Sequence, residues 1–199
     1  MKKILNLVLM LIAFAGGLKA QVKFSVGPGV GFNYAIHSSS ESDESINHFG
    51  ALVTSQFDMQ FSRQFGVILW VDFYSDMSAK ESSEGVSGEY KINYLSFSPT
   101  LKYCISGSPF YLFAGPGIGL KTKGKVKVGY EGIHVEDDIP DMKTRFDVRF
   151  GAGYEFFLTN KLTLSPFAAF NLGLNDVASD ADWQINTLQA GLVLRFNAF

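Results

Sequence analysis

The sequence predicts an all-β fold: an eight-stranded, antiparallel, up-and-down β-barrel that crosses a membrane. Three observations lead to this prediction. Eight stretches of the 199 residues alternate between apolar and polar side chains with the period of two that a β-strand requires. The connections between these stretches are alternately short and long. Along each stretch, large apolar side chains share one face, whereas glycine and polar or charged residues share the other.

Residues 1–20 predict a signal peptide, which leaves residues 21–199 as the barrel domain. A positively charged start is followed by an apolar run at residues 4–15 and then by small residues, which is the order of regions in a secretory signal. The run is too short for a membrane-spanning helix, which needs about 20 residues. Cleavage is expected after Ala20, with Ala15 as the alternative, so the mature chain is predicted to be exported.

Short turns and long loops alternate between the eight predicted strands. The strands are predicted at residues 22–36, 48–62, 65–76, 90–105, 110–127, 143–158, 161–174 and 184–196. Longer polar loops follow the first, third, fifth and seventh strands, at residues 37–47, 77–89, 128–142 and 175–183. This asymmetry is typical of outer-membrane barrels, which have short periplasmic turns and longer external loops.

The composition excludes several classes of protein. Apolar residues make up 47% of the chain, which excludes a disordered protein. The single cysteine excludes an intrachain disulfide framework and any all-cysteine metal site. The formal net charge of −2 provides no basic field for nucleic acid. The histidines His37, His48 and His134 lack the spacing of metal ligands, so neither a metal nor another cofactor is expected.

The two faces of the strands decide which side of the sheet contacts lipid. In the sixth strand, Phe146, Val148 and Phe150 share one face, and Arg145 and Arg149 share the other. The interior of an eight-stranded barrel is just wide enough for side chains to fill it, so the bulky apolar face would overfill it and is expected outside. An exterior of this kind is tolerable only in lipid, where open sheet edges are not tolerated. The sheet is therefore predicted to close.

Aromatic residues are predicted to mark the two membrane interfaces. Toward the short turns, every strand except the seventh carries an outward aromatic side chain: Phe24, Phe61, Phe65, Tyr103, Phe110, Phe156 and Phe196. A less complete ring toward the loops consists of Tyr34, Phe49, Phe73 and Phe146. Ten residues separate Phe24 from Tyr34. At about 3.3 Å per residue and a tilt of about 40°, this gives roughly 25 Å, the height of the apolar band of such barrels.

Charged residues on the inward face form the main candidate site. They are Lys23, Asp58, Lys102, Glu155 and Arg195 near the short turns, and Asp72, Arg145, Asp147 and Arg149 nearer the middle. Opposite charges confined in a medium of low dielectric are expected to pair, because an isolated buried charge is costly. The favoured interpretation is a salt-bridged plug, and the alternative is a pathway for protons or small solutes.

A row of lysines continues the fifth strand beyond the membrane. It consists of Lys121, Lys123, Lys125 and Lys127. Because these residues alternate with others, all four ammonium groups are expected on one side of a strand that pairs with residues 133–136. The row is favoured to be a solvated strand balanced by nearby acidic residues. The alternative is contact with phosphates of lipopolysaccharide or with an acidic partner.

Prolines interrupt four of the predicted strands on the outward face. They are Pro28, Pro99, Pro116 and Pro166. Each removes one hydrogen bond from a ladder, so local β-bulges are expected at these positions. Pro28 and Pro116 each lie between two glycines, which are expected to face inward and to make room across a narrow lumen.

Several segments resemble those of a known family. Residues 94–103, YLSFSPTLKY, are similar to the YLxxPxxLKY strand of PorT-like outer-membrane β-barrel proteins. Residues 113–117, 151–156 and 171–174 are similar to the following strands of that family, in order. The chain resembles the small OmpX- and OmpA-type barrels more distantly. The resemblance covers essentially the whole mature chain and implies an eight-stranded barrel in the outer membrane of a Gram-negative cell envelope.

The resemblance also implies contact with the outer-membrane insertion machinery. Such barrels end in an aromatic residue that this machinery reads. In this sequence that residue is either Phe196, which is in register with the outward face, or Phe199 after a bulge.

The sequence therefore predicts a non-enzymatic integral outer-membrane protein with a structural or surface-interaction role through its external loops. Its expected partners are outer-membrane lipid, lipopolysaccharide and the insertion machinery, and the expected state is a monomer. A narrow channel or transporter for small solutes is the alternative. A lipid-modifying enzyme is less favoured, because no histidine, serine and acidic residue converge in the pattern. A soluble ligand carrier would require the two faces to be reversed.

Overall fold

The computed structural model describes residues 22–39, 42–83, 86–130, 133–139, 141–178 and 182–198. The predicted signal peptide and Phe199 lie outside these residues. Within the described ranges the regular elements are β-strands. No helix there is long and apolar enough to cross a bilayer.

Eleven strands form one antiparallel sheet. They are β1 (Lys23–Ser39), β2 (Ser42–Gln60), β3 (Phe65–Ser75), β4 (Ala79–Ser83), β5 (Val86–Cys104), β6 (Phe110–Tyr130), β7 (Ile133–Asp138), β8 (Arg145–Tyr154), β9 (Phe156–Thr159), β10 (Leu162–Gly173) and β11 (Trp183–Asn197). Around the circumference the order is β1, β2, β3, β5, β6, β8, β10 and β11, and β11 pairs with β1. The sheet therefore closes into the predicted eight-stranded barrel, in which β9 continues the wall begun by β8.

Two shorter strands extend the barrel wall at the end that carries the long connections, called here the loop end. β4 pairs with the first part of β5, and β7 pairs with the last part of β6. The predicted pairing of β6 with residues 133–136 is confirmed. The prediction of a loop at residues 77–89 is wrong, since most of the described part is strand. The connection predicted at residues 128–142 is shorter than expected, because β6 continues to Tyr130 and β7 extends to Asp138, and strands also enter residues 37–47. The polar strand β4 lacks the apolar alternation that predicts the other strands, and β7 shows it only over residues 133–136.

The outward face of the barrel is apolar, as predicted. Phe32 and Leu101 are 60% and 70% exposed on the outside, whereas Ile68 and Trp70 are fully buried in the lumen. A soluble protein rarely exposes so continuous an apolar surface, whereas a barrel in lipid requires one. The prediction of which face points outward is therefore confirmed.

The expected β-bulges are absent at the four strand prolines, Pro28, Pro99, Pro116 and Pro166. Instead, pairing is interrupted on one side of each proline without a change of register. Pro99 and Pro116 lie opposite each other in the register of β5 and β6, so one interruption accommodates both. A proline that faces a gap in the ladder removes no hydrogen bond, and a bulge is not needed. Register shifts occur instead at positions such as Phe73 in β3 and Thr122 in β6.

Large rings occupy the middle of the lumen. A buried apolar layer consists of Leu52, Ile68, Trp70, Tyr111, Phe113, Phe167, Ala169 and Val193. Inward glycines of a neighbouring strand make room for it: a Cβ on Gly151 would lie 2.6 Å from the ring of Phe113. The expectation that the bore has no room for bulky side chains is therefore wrong at this level. Large residues on one strand face small residues on the next, which is how small barrels fill their interiors.

Candidate functional site in the lumen and at the rim

Four charged side chains form a closed network inside the barrel near the short turns. Lys102 Nζ lies 2.6 Å from Asp58 Oδ2 and 2.6 Å from Glu155 Oε1. Arg195 donates to the same two oxygens, through Nη1 to Asp58 and through Nη2 to Glu155 at 2.6 Å. Lys102, Arg195 and Asp58 are almost fully buried, and the Glu155 side chain is 14% exposed. Each cation contacts both anions. This group is called the lumen network below, and it carries no net charge because two cations meet two carboxylates.

Tyr111 joins the lumen network to the apolar layer above it. Lys102 Nζ lies 4.7 Å from the centre of the Tyr111 ring, and the guanidinium carbon of Arg195 lies 5.9 Å from it. Cations over an aromatic face are stabilised by the ring quadrupole, more so when they are removed from water. The Tyr111 hydroxyl is 2.8 Å from Ser165 Oγ, so its polar end is hydrogen-bonded although the residue is buried.

A second ion pair lies in the middle of the lumen. Arg149 Nη1 donates to Asp72 Oδ2 at 2.8 Å, and Thr54 Oγ1 donates to Asp72 Oδ1 at 2.6 Å. The guanidinium carbon of Arg149 lies 4.2 Å from the centre of the Trp70 ring. The Asp72 carboxylate is thus bonded at both oxygens, and the arginine is stacked on the apolar layer.

A third ion pair lies nearer the loop end and, like the second, has buried atoms without a partner among the described residues. Arg145 Nη1 lies 3.2 Å from Asp147 Oδ2, and Arg145 Nη2 donates to the carbonyl of Ile185 at 3.2 Å. Asp147 Oδ1 and Arg145 Nε are buried and have no hydrogen-bond partner among the described residues, and the same is true of atoms of Gln56 and Gln189. Buried polar atoms are normally bonded to protein or to ordered water. The parts of the lumen beside these unbonded atoms are therefore suited to holding water.

A second apolar cluster crosses the lumen at the loop end. It consists of Ala35, Met77, Ile92, Tyr94, Ile139, Val177 and Ile185. Tyr90 and Val126, from the extension formed by β4 to β7, pack against it, as does Trp183. The inner face of the extension therefore helps to cover the barrel mouth.

His37 connects this outer cluster to the rim through hydrogen bonds. It lies beyond Tyr34, the outward residue at which the membrane-spanning part of β1 ends. Trp183 Nε1 donates to His37 Nδ1 at 3.1 Å, and His37 Nε2 donates to the carbonyl of Ser78 at 3.2 Å. Burial lowers the pKa of His37 from 6.5 to about 4, although the hydrogen bond to Ser78 acts in the opposite direction. The imidazole is therefore neutral at neutral pH, with both nitrogen atoms bonded.

The structure brings eight of the nine predicted lumen charges into these ion pairs. The exception is Lys23, which is exposed at the start of β1 and takes no part in the lumen network. At the membrane interface, six predicted girdle residues are 40% to 52% exposed on the outside: Phe24, Phe65, Tyr103, Phe110, Phe156 and Phe196. The seventh, Phe61, is only partly exposed and lies just beyond the end of β2.

A β-bulge divides the predicted row of four lysines. β6 contains one extra residue, Thr122, between Lys121 and Lys123, and Thr122 Oγ1 donates to the carbonyl of Asn93 at 3.0 Å. Lys121 pairs with Tyr94, which belongs to the cluster inside the mouth. A bulge reverses the alternation of a strand, so the prediction that all four ammonium groups share one side is wrong. The three lysines on the outer face are Lys123, Lys125 and Lys127.

Sequence reasoning missed a polar cleft in the rim between β2 and β5, called here the rim cleft. It has a volume of about 280 Å³ and is lined by His48, Tyr74, Asp76, Ser78, Glu89, Lys91, Asn93 and Lys123. These residues come from four segments that are distant in sequence, and no spacing marks them as a group. They meet where the chain passes from β3 to β4. The regular ladders of β3 end there, and single backbone hydrogen bonds join Asp76 to Ala51 of β2 and Met77 to Ile92 of β5.

The charges of the rim cleft are partly paired. His48 Nε2 lies 3.8 Å from Asp76 Oδ2, and Lys91 Nζ lies 3.6 Å from Glu89 Oε2. Ser78 Oγ donates to Asp76 Oδ1 at 2.5 Å. A serine that donates to a carboxylate, and not to a histidine, is not arranged as an activated nucleophile. In the described part of the chain, no three His, Cys, Asp or Glu side chains are grouped to hold a metal ion.

The closed barrel, its apolar exterior, its aromatic interface residues and its charged lumen define a membrane β-barrel protein. The chain belongs to the outer membrane protein beta-barrel domain family, whose model matches residues 7–196. It is therefore an outer-membrane β-barrel protein. A comparison with curated proteins gave no match.

Several solved structures are similar to this chain. Ail, the attachment invasion locus protein of Yersinia pestis, solved with the heparin analogue sucrose octasulfate, is 15% identical with a TM-score of 0.48, over 87% of this chain and 99% of that chain. Neisserial surface protein A is 13% identical with a TM-score of 0.47, over 88% and 98%. OprG from Pseudomonas aeruginosa is 9% identical with a TM-score of 0.49, over 89% and 96%. At these values none of them defines a role for this chain.

Proposed function

We propose that this protein is a non-enzymatic integral outer-membrane barrel that acts through its external surface, in a structural or surface-interaction role, and that its lumen is plugged. The observation that carries the proposal is the filling of the lumen. From the short turns to the loop end, the lumen contains the lumen network, the layer around Trp70, two further ion pairs and the cluster around Ile92.

The energetics of these layers support a plug. A passage past the lumen network would separate Lys102 and Arg195 from their carboxylates, and each buried ion left without a partner costs several kcal/mol. A passage past the middle layer would displace Trp70, which is fully buried beneath Arg149. Both changes would have to occur together for a solute to pass.

A narrow channel for small solutes is the second candidate, and one observation favours it. Between the two apolar layers, Gln189 and Arg149 carry buried polar atoms without a partner among the described residues. Such a level could hold water in an open state. Conduction would require it to connect with both ends of the barrel.

Planar-bilayer recording separates these two candidates. The purified full-length protein is expected to give no stepwise conductance in potassium chloride. A Trp70→Ala, Phe113→Ala variant serves as a control that opens the middle layer, with circular dichroism to check that it is folded. Stepwise conductance of the wild type that changes in folded Arg149→Gln or Glu155→Gln variants would overturn the plugged lumen.

A surface role is tested in cells that lack the protein. We expect their resistance to detergent to be restored by the wild type and by an Arg149→Gln lumen variant, but not by a Lys125→Glu, Lys127→Glu variant of the outer face. Restoration by the outer-face variant and failure of the lumen variant would favour the channel instead.

We further propose that the chain is a PorT-like member of its family, on the strength of residues 94–103, and that it is exported by its first 20 residues and inserted as a monomer. Phe196, outward and half-exposed near the end of β11, supports insertion through a C-terminal aromatic residue. N-terminal sequencing of the mature protein is expected to begin at Gln21, or at Gly16 if cleavage follows Ala15. An intact Met1 in the outer-membrane fraction would contradict cleavage.

A further inference from the structure

We propose that the rim cleft binds the phosphorylated sugar headgroup of an outer-leaflet glycolipid. The proposal deepens the proposed surface role and rests on it for the location of the cleft at the outer face of the outer membrane. The ligand is a lipid of the bilayer. The site differs from the lysine row predicted from the sequence, because Lys91 lines it and Lys121 does not.

The cleft begins where the lipid-facing surface of β5 and β6 ends. Leu95 and Leu120 pair with each other on the outward side of these strands, and Leu120 is 44% exposed. The outward residues that follow toward the loop end include Lys123 on β6 and Lys91 on β5, both of which line the cleft. At about 3.3 Å per residue and a tilt of about 40°, the two lysines lie roughly 8 to 10 Å beyond the leucines, at the outer edge of the lipid headgroup layer.

The β2 and β3 side of the cleft shows the same transition. Phe49 and Phe73 are 62% and 56% exposed on the lipid-facing surface. Tyr74, which is 41% exposed and follows the register shift at Phe73, lines the cleft on this surface. His48, whose register partner is the inward Ala35, lines the cleft from its inner side. Aromatic rings of this kind sit at the boundary between acyl chains and headgroups. A headgroup beside the barrel therefore reaches the cleft without leaving the bilayer.

The lining combines two kinds of polar group. Lys91 and Lys123 provide cations for a phosphate. Asp76, Glu89 and the amide oxygen of Asn93 are acceptors, and they suit the hydroxyl groups of a sugar. A bare phosphate would be repelled by the two carboxylates, so the mixture selects a ligand that carries both a phosphate and hydroxyl groups.

A buried polar atom of Asn93 also points to a ligand, independently of the charges in the lining. The residue is 7% exposed, and its Oδ1 is buried without a hydrogen-bond partner among the described residues. A buried acceptor left unsatisfied is costly, and a hydroxyl donor in the cleft would remove that cost. The volume of about 280 Å³ is at the lower end for small-molecule sites. It therefore suits one sugar unit and not an extended chain.

The test uses the full-length protein in phosphatidylcholine nanodiscs and follows the amide resonances of Tyr74 and Asn93 by NMR. The probe is N-acetylglucosamine 1-phosphate, which we expect to shift both resonances saturably. Inorganic phosphate and N-acetylglucosamine, tested separately, are expected to bind at least tenfold more weakly. Nanodiscs that contain lipid A are expected to show the shifted resonances before any probe is added.

Variants of the two cleft cations give the quantitative test. Lys91→Gln with Lys123→Gln is expected to weaken probe binding about 25-fold, since each cation near an anionic headgroup contributes about fivefold. Lys127→Gln, farther out on the same face, and Lys161→Gln, in an exposed turn, are the matched controls and are expected to bind as the wild type does. All four lysines lie outside the buried core, and a single Lys123→Gln variant provides a milder change if the double variant is unstable.

Three results would overturn the proposal. They are the absence of a saturable shift, an equal loss of binding in Lys127→Gln, and probe binding that lipid A in the disc neither mimics nor blocks. The last result would indicate a free sugar phosphate in place of a lipid. None of these three results tests the proposed plugged lumen, which is tested by the conductance of the wild type.

Discussion

The ring of Tyr111 lies directly over Gly153, its partner in the register of β6 and β8. A Cβ on residue 153 would overlap the ring, so the glycine makes room for an aromatic side chain that contacts the lumen network on one side and the apolar layer on the other. Phe113 and Gly151, also partners, repeat the arrangement two residues along. Pairing of large with small residues thus allows a narrow lumen to contain rings.

The first prediction follows from this pair. Gly153→Ala should destabilise the barrel by about 1–3 kcal/mol, because the added methyl group forces the Tyr111 ring out of a packed position. Urea unfolding in detergent micelles, followed by tryptophan emission, measures the change. Gly88→Ala is the control, since a Cβ there meets nothing within 4 Å. Equal stability of the two variants would show that the contact between ring and glycine is not restrictive.

The second prediction concerns the shared carboxylate of the lumen network. Asp58→Asn leaves Lys102 and Arg195 with Glu155 as their remaining anion in the network. Because all of these groups are buried, the loss should be about 3–5 kcal/mol. Adding Lys102→Met should recover part of it by removing the uncompensated cation. Equilibrium unfolding of both variants measures the two effects.

An exposed ion pair is the control for this experiment. Glu89→Gln breaks the pair with Lys91, whose side chains are about 30% exposed, and should change stability by less than about 1 kcal/mol. If Asp58→Asn costs no more than Glu89→Gln, then the lumen network contributes nothing beyond ordinary surface pairs.

The third prediction is a loss of stability at the rim in acid. His37 titrates near 6.5 in the unfolded chain and near 4 when buried. Between these values the unfolded chain binds the proton that the folded chain excludes. The contribution of His37 to stability is therefore complete above about pH 6.5 and falls as the pH drops toward 4. Below pH 4 it changes no further, and the total loss is about 3 kcal/mol at most.

Hydrogen exchange at Ile92 and Trp183 emission, at pH 7 and pH 4.5, measure this effect. Protonation of Nδ1 would break the hydrogen bond from Trp183, so acid should open the outer cluster locally. His37→Gln should abolish the dependence, whereas His48→Gln, which alters the neighbouring imidazole, should retain most of it. Acid opening that persists in His37→Gln would assign the effect to another group.

The parts of the fold that the sequence predicts are those in which one side of a strand must face lipid. Phe146 and Arg149 differ in face because a period of two places them on opposite sides of β8, and no other packing competes. β4 and β7 lie beyond the lipid, where no apolar face is required. The sequence of β4 therefore carries no such signal and predicts a loop, whereas for β7 it predicts only the pairing of residues 133–136.

The features of the site that the sequence did not predict depend on contacts between distant segments. The bulge at Thr122 has no residue signature, yet it changes the side on which Lys123 lies. The rim cleft brings His48 and Lys91 together where the regular pairing of β3 ends and the chain crosses to β4. The pairing of Pro99 with Pro116 likewise depends on register, which single-strand patterns do not contain.

The fourth prediction tests the bulge directly. In an uninterrupted strand, residues 121 and 123 would share one environment, whereas the extra residue Thr122 places them on opposite sides of β6. In a Cys104→Ser background, a spin label at Lys123→Cys should be strongly relaxed by a nickel-chelating lipid, since it faces the headgroups. A label at Lys121→Cys, at the barrel mouth, should respond instead to a soluble nickel complex. Identical responses at the two positions would mean that β6 alternates without interruption and that Lys121 lies on the outer face with Lys123.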